Sequence, residues 1–157
     1  MAAIYRIGVI SDTHGLLRPE AAALLRGVDQ IIHAGDVGRW KILNALNRLA
    51  PTVAVRGNVD TDDDLPLTAV VTAGGARLYV LHSLSDLEFD PAAAGFQDVI
   101  SGHSHQPVIE WRGGVLYLNP GSAGPRRFTL PVTLAYLTIT DGQLTAEIVP
   151  VVDERSR

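Results

Sequence analysis

Three dipeptides do most to limit the fold of this chain: Gly74-Gly75, Gly113-Gly114 and Asp141-Gly142. Each separates two short apolar runs. Two-residue links of this kind join antiparallel strands in tight hairpins. The predicted pairs are 67–73 with 77–81, 108–111 with 115–118, and 133–140 with 144–149. The first half has another rhythm. β-branched strands are expected at 4–10, 30–34 and 51–55, with amphipathic helices between them at 19–26 and 40–49. Pro19 suits a first helical turn and Gly27 a helix end. Strand-helix alternation favours parallel pairing, whereas hairpins favour antiparallel pairing. Mixed sheets with helices on their outer faces follow. One more strand is expected at 98–101, preceded by a short helix at 90–95.

The bulk properties limit function. The 157 residues fit a single domain spanning 1–157, and 46% apolar content is enough for a full core. The net charge is −4 with no cysteine. Disulfides and thiolate metal sites are therefore excluded. The basic residues are scattered, which argues against a nucleic-acid footprint. No apolar run approaches membrane-spanning length, and the first residues do not read as a signal peptide. A cytoplasmic location is the default expectation.

Polar residues gather where strands end. Strand 4–10 delivers Asp12 and His14, strand 30–34 delivers Asp36, and strand 51–55 delivers Asn58. The strand after the first hairpin delivers His82. Strand 98–101 leads into Ser101-Gly-His-Ser-His-Gln-Pro107, which holds His103 and His105. Ligands of α/β sheets collect outside the carboxyl ends of strands, so these residues can converge. Gly35, Gly57 and Gly102 precede three of them and allow close backbone approach. Four imidazoles, two carboxylates and one amide oxygen form a mixed N/O donor set. It suits Mn²⁺, Fe, Ni²⁺ or Zn²⁺. Seven donors exceed the need of one catalytic zinc and suit two metals sharing a carboxylate. Two such ions leave residual positive charge after two aspartates and a hydroxide, which attracts phosphate.

Taken singly, each motif has a plainer reading. A lone Asp-x-His is more often a turn and helix cap, and a lone Gly-Asn or Gly-Asp is nearly always a turn. His82 alone could be an ordinary strand residue. Joint occurrence at successive strand ends favours the metal reading. His33 lies inside a strand and is expected to be buried and to help orient Asp36. Asp60 to Asp64 read as solvated loop residues, with Asp60 a candidate brace for Asn58.

Asp12-Thr-His14, Gly35-Asp36, Gly57-Asn58, His82 and Gly102-His-Ser-His105 resemble the motifs of the calcineurin-like metallophosphoesterases. Arg56-Gly-Asn-Val-Asp60 and Asn119-Pro-Gly-Ser122 followed by Pro125-Arg126 are similar to the small YfcE-like phosphodiesterase branch. The resemblance implies a four-layer α/β/β/α sandwich of two mixed β-sheets. It implies a first metal on Asp12, His14, Asp36 and His105, and a second on Asp36, Asn58, His82 and His103, with Asp36 bridging. It further implies phosphodiester hydrolysis by a hydroxide between two divalent ions, most simply Mn²⁺. Asp36, Asn58 and His103 would support that attack. Asn58 and Arg126, with Arg127 nearby, are candidate contacts to the substrate phosphate. The expected partner is a small phosphate ester, and self-association is left open. Three positions depart from the family pattern. Val59 stands where larger members have a proton-donating histidine, Ser83 follows His82 in place of glycine, and the segment from His82 to His103 is short. The rival reading is a non-catalytic scaffold like the retromer subunit of the same fold.

Overall fold

A computed structural model describes residues 3–61, 65–127 and 129–152. Asp62, Asp63 and Asp64 lie outside the described residues. The strands are β1 (Ile4–Ile10), β2 (Gln30–His33), β3 (Thr52–Ala54), β4 (Thr68–Ala73), β5 (Ala76–Leu81) and β6 (Asp98–Ile100). They continue with β7 (Pro107–Arg112), β8 (Val115–Pro120), β9 (Thr133–Thr140) and β10 (Gln143–Pro150). The helices are α1 (Pro19–Leu24) and α2 (Trp40–Leu49). Among the described residues no helix is long and apolar enough to cross a membrane.

Two mixed sheets of five strands form, in the orders β10-β9-β1-β2-β3 and β4-β5-β6-β8-β7. In the first, β1, β2 and β3 pair in parallel, and the β9-β10 hairpin adds antiparallel to the free edge of β1. All three expected hairpins are present, with positive φ at both central residues of each turn. That geometry matches the right-handed twist of the strands. The second sheet is mixed, as expected, and its parallel part lies where the hairpins alone give no sign of it. Its centre, β5-β6-β8, is parallel. A hairpin link fixes only the pairing of its own two strands. The partner of a strand such as β6 is chosen by burial on both faces.

The alternation of side chains puts Ile7, Val9, Ile32, Leu78, Val80, Ile100, Leu116 and Leu137 between the sheets. The opposite face of the first sheet buries Ile10, Ile31 and Leu134 under Leu25 of the α1 end and Ile42, Leu43 and Leu46 of α2. The outer layer on the second sheet is thin. It is a single 3-10 turn, Leu84–Asp86, and a loop whose Leu84 and Leu87 pack near Tyr79 and Val99. The helix expected at 90–95 is a run of turns ending at Gly95, with φ 86°. Asp90 caps it by accepting the Ala92 amide at 3.1 Å. Six residues, a proline and a glycine among them, are too few to repay helix nucleation.

One buried charge stands out. Asp98 pairs in register with Leu78 and Leu116, so its side chain shares their inter-sheet face. It is 0% exposed, and neither carboxyl oxygen has a protein hydrogen-bond partner. Burial pushes its pKa well above the usual carboxylate range. A raised folded pKa means the native state binds the proton more tightly than the unfolded chain. Its contribution is therefore most favourable below the unfolded pKa and declines as pH rises toward the folded value. Asp98→Asn should raise Tm more at pH 8 than at pH 4.5. Each kcal/mol gained corresponds to roughly 2–4 °C in a chain of this size. Thermal melts at the two pH values check this, and a larger gain at pH 4.5 contradicts it.

Candidate metal centre

The carboxyl ends of β1, β2 and β3 from one sheet and of β5 and β6 from the other meet at one seam. The loops after β1 and β2 run on as a continued ladder. The Asp12 amide donates to Gly35 O at 2.9 Å, that of His14 to Asp36 O at 2.9 Å, and that of Gly15 to Val37 O at 2.8 Å. From the second sheet, the Gly102 amide donates to His82 O at 2.9 Å. Six non-glycine residues have positive φ among those described: Asp12, His14, Asp36, His103, His105 and Asp141. The last is a hairpin turn residue. The other five are all predicted ligands. Such backbone costs about 1–3 kcal/mol per residue and clusters where function demands a side-chain direction.

Each carboxylate has one oxygen held by the protein and one directed inward. Asp12 Oδ2 accepts from Ser11 Oγ at 2.7 Å and from the His103 amide at 3.1 Å. Asp12 Oδ1 is buried without a hydrogen-bond partner. It lies 3.4 Å from His105 Nε2, 3.8 Å from His14 Nε2 and 3.9 Å from His82 Nε2. Asp36 Oδ1 accepts the Val59 amide at 2.9 Å, while Oδ2 lies 3.2 Å from His82 Nε2 and 3.7 Å from His14 Nε2. The imidazoles stand in two pairs. His14 and His105 have ring centroids 5.5 Å apart, and those of His82 and His103 are 5.3 Å apart. Asn58 is exposed in the loop after β3, beside the Val59 amide that holds Asp36.

The electrostatics follow from that crowding. Burial opposes ionisation of Asp36, but the His82 bond, the Val59 amide and the charges of His82 and His14 outweigh it. They hold its carboxyl below the usual range. Burial dominates at Asp12 and raises its pKa, despite the Ser11 bond, the His82 charge and the His103 amide. His82 is raised: burial lowers it, but the Asp36 bond, the Ala34 carbonyl and both aspartates prevail. His105 is lowered, first by burial and then by the charge of Arg127.

Supporting residues fix these donors. His82 Nδ1 meets Ala34 O at 2.7 Å, and a carbonyl can only accept. In the neutral ring the proton therefore sits on Nδ1 and the Nε2 lone pair faces the aspartates. Asn119 Nδ2 donates to Gly102 O at 2.9 Å and to Ser104 Oγ at 3.1 Å, bracing the His103-His105 loop. Ser122 Oγ donates to Asp12 O at 3.0 Å. Gly102 is required by proximity. A Cβ there would overlap Ser11 Oγ and lie 2.7 Å from Asp12 Oδ2.

Two expectations shift in detail. His33 is buried as expected, and its bonds reach Asp36 indirectly, through Gly35 and, by way of Thr13, Val37 on either side of it. The Gly35 amide donates to its Nδ1 at 3.1 Å, so Nε2 carries the proton, which is given to Thr13 Oγ1 at 3.0 Å. Thr13 then donates to Val37 O at 2.8 Å. Burial holds the His33 pKa down to about 4. Asp60 accepts the amides of Gly57 at 2.9 Å, Gly38 at 3.0 Å and Val37 at 3.2 Å. It thus ties the Asn58 loop to the Asp36 loop without bonding Asn58. The roles of Ser11, Thr13 and Ser122 carry no sequence signal beyond proximity to a motif.

The calcineurin-like phosphoesterase superfamily model matches residues 5–142. This chain belongs to that superfamily. It is 36% identical to a probable metallophosphoesterase of Methanothermobacter thermautotrophicus, over 91% of each chain. It is 37% identical to the phosphodiesterase YfcE of Escherichia coli K12, over 71% of this chain and 76% of that one. The fold of Chaetomium thermophilum Vps29 superposes with a TM-score of 0.75 at 19% identity, over 92% of this chain and 96% of that one. In this metallophosphoesterase the buried, partnerless Asp12 Oδ1, His14 Nε2 and His82 Nε2 fit a cation. Three nitrogen or oxygen lone pairs would otherwise be desolvated without compensation.

The hydrogen bonds make opposite tautomers a direct expectation. At pH 9, nitrogen-detected NMR should find the ring proton of His82 on Nδ1 and that of His33 on Nε2. The reverse assignment for His82 would show that its inward nitrogen is not a free donor.

Proposed function

We propose that this protein is a phosphodiesterase that hydrolyses a phosphate ester at two divalent cations, Mn²⁺ by default. The observation that carries the reading is the arrangement around Asp36 Oδ2, which lies between His14 Nε2 and His82 Nε2. In this reading Asp12, His14 and His105 hold one ion with Asp36. Asn58, His82 and His103 hold the other, and Asp36 spans both. The grouping is supported by the two ring pairs, His14 with His105 and His82 with His103. When bound, the ions supply a nucleophile near neutral pH and polarise the phosphoryl oxygens.

The chain's own groups do the rest. The Val59 amide and the Ser11 hydroxyl lock the outer oxygens of the two aspartates, so their inner oxygens cannot rotate away. Asn58 and His103 are the exposed members of the set and face an incoming phosphate. The Arg127 charge acts on His105 and favours an anion near it. Val59 is 49% exposed and offers only a methyl surface where a proton donor could stand. Good leaving groups are therefore the better substrates.

Hydrolysis of bis(p-nitrophenyl) phosphate should require added Mn²⁺. Asp36→Ala should lower kcat/KM by at least the ~100-fold that loss of a mere ligand-supporting residue can cost. Unchanged activity in that variant overturns the reading. A scaffold of the Vps29 kind is the second reading, supported by shared fold alone. It predicts no turnover, with or without bound metal.

The two-ion arrangement has its own check. His105→Ala should release one of two Mn²⁺ per chain with little effect on the other, and His103→Ala should release the opposite one. Calorimetric titration of the variants measures this, and loss of both ions in either variant contradicts the split.

A further inference from the structure

Beside His103 the thin outer layer of the second sheet leaves a cavity of about 340 Å³. Its size is within the range of small-molecule sites, about 300–1,000 Å³. One wall is β7, where alternation turns Val108, Glu110 and Arg112 to the same face. Tyr117 of β8 lies beside them, and Leu84 with Ser85 forms the opposite wall. At the inner end the cavity meets His103 and Asn119. No other predicted ligand lines it, so it is an annex to the metal centre rather than part of it.

The chemistry of the walls selects an occupant. Leu84, Val108 and Tyr117 give an apolar slot with one aromatic face. The planar guanidinium of Arg112 stacks on the Tyr117 ring at 4.6 Å, and it pairs with Glu110 at 2.9 Å. Both charges are at the solvent-exposed rim, where such a pair holds its partners weakly. They cancel, so the cavity offers nothing to a second phosphate. A planar group sliding in meets the guanidinium that lies over Tyr117, an aliphatic wall and a carboxylate acceptor. That set suits the stacking and edge contacts of a heterocyclic base.

We propose that this cavity is the subsite for one ester group of the phosphodiester, and that it takes a planar, nucleoside-sized alcohol in preference to a simple alkyl one. The proposal rests on the phosphodiesterase reading. It adds a substrate class: diesters in which a nucleoside or similar heterocyclic alcohol is joined to phosphate. His103 marks the junction, since it belongs both to the donor cluster and to the cavity wall.

The test compares two chromogenic diesters with the same leaving group, the p-nitrophenyl ester of thymidine 5′-phosphate and methyl p-nitrophenyl phosphate. With Mn²⁺ the wild-type kcat/KM should favour the thymidine ester by about tenfold or more. Val108→Trp and Ser85→Trp fill the slot from opposite walls at solvent-accessible positions. Each should lower kcat/KM for the thymidine ester and so abolish the preference. A second readout needs no metal and no turnover. Thymidine added to the apoprotein should shift the backbone amide signals of Leu84, Ser104 and Tyr117 in ¹H–¹⁵N spectra, and Val108→Trp should remove the shifts. Equal kcat/KM for the two esters, or a preference untouched by both variants, overturns the subsite, as does thymidine binding elsewhere. Thymidine shifts at the cavity without any Mn²⁺-dependent hydrolysis would instead uphold the binding site and overturn the phosphodiesterase reading.

Discussion

The centre depends on β1 and β2 staying paired after both have ceased to be strands. The amides of Asp12, His14 and Gly15 reach the carbonyls of Gly35, Asp36 and Val37. Asp12, His14 and Asp36 can hold positive φ because that ladder determines their position from both sides. A free loop would relax to ordinary backbone and turn the side chains away. Extended pairing converts local strain into a set of converging donors. The same device recurs across the seam, where the Gly102 amide bonds His82 O and the His103 amide bonds Asp12.

The second constraint is that the two sheets contribute unequal things. The first supplies both aspartates and His14 from a parallel core covered by α1 and α2. The second supplies three imidazoles from strands with little above them. The thick side gives rigidity to the charged groups, whose positions must be held against mutual repulsion. The thin side gives access. The cavity beside His103 exists because a 3-10 turn stands over the second sheet where a long helix would close it.

Much of this was legible in the chain, for reasons that differ by element. Gly74-Gly75, Gly113-Gly114 and Asp141-Gly142 marked their hairpins because few other residues tolerate φ above zero twice in succession. α2 was readable from its apolar spacing. α1 was expected to run to Arg26 and stops at Leu24, since its last turn unwinds toward Gly27. The parallel β5-β6-β8 centre was not readable, because hairpin signals say nothing about which strand flanks the pair. The donors Asp12, His14, Asp36, His82 and His105 were read from their place at strand ends. Asp60 was read as a brace for the Asn58 loop, but its bonds to the Val37 and Gly38 amides were not, nor was the bracing by Ser11 and Thr13, because a hydroxyl residue near a motif looks like any loop residue.

The sequence by itself determined the inventory: which donors exist, their order along the chain, the turns that permit them and the absence of thiolates. These are local properties, set by residue type and spacing. The tertiary structure alone decided direction. It chose which carboxylate oxygen is tied down and which faces inward, and it gave His82 and His33 opposite tautomers. It also left a slot open beside His103. Direction depends on contacts between residues as distant in the chain as Asp12 and His103. No periodicity or motif encodes such contacts until both sheets have packed.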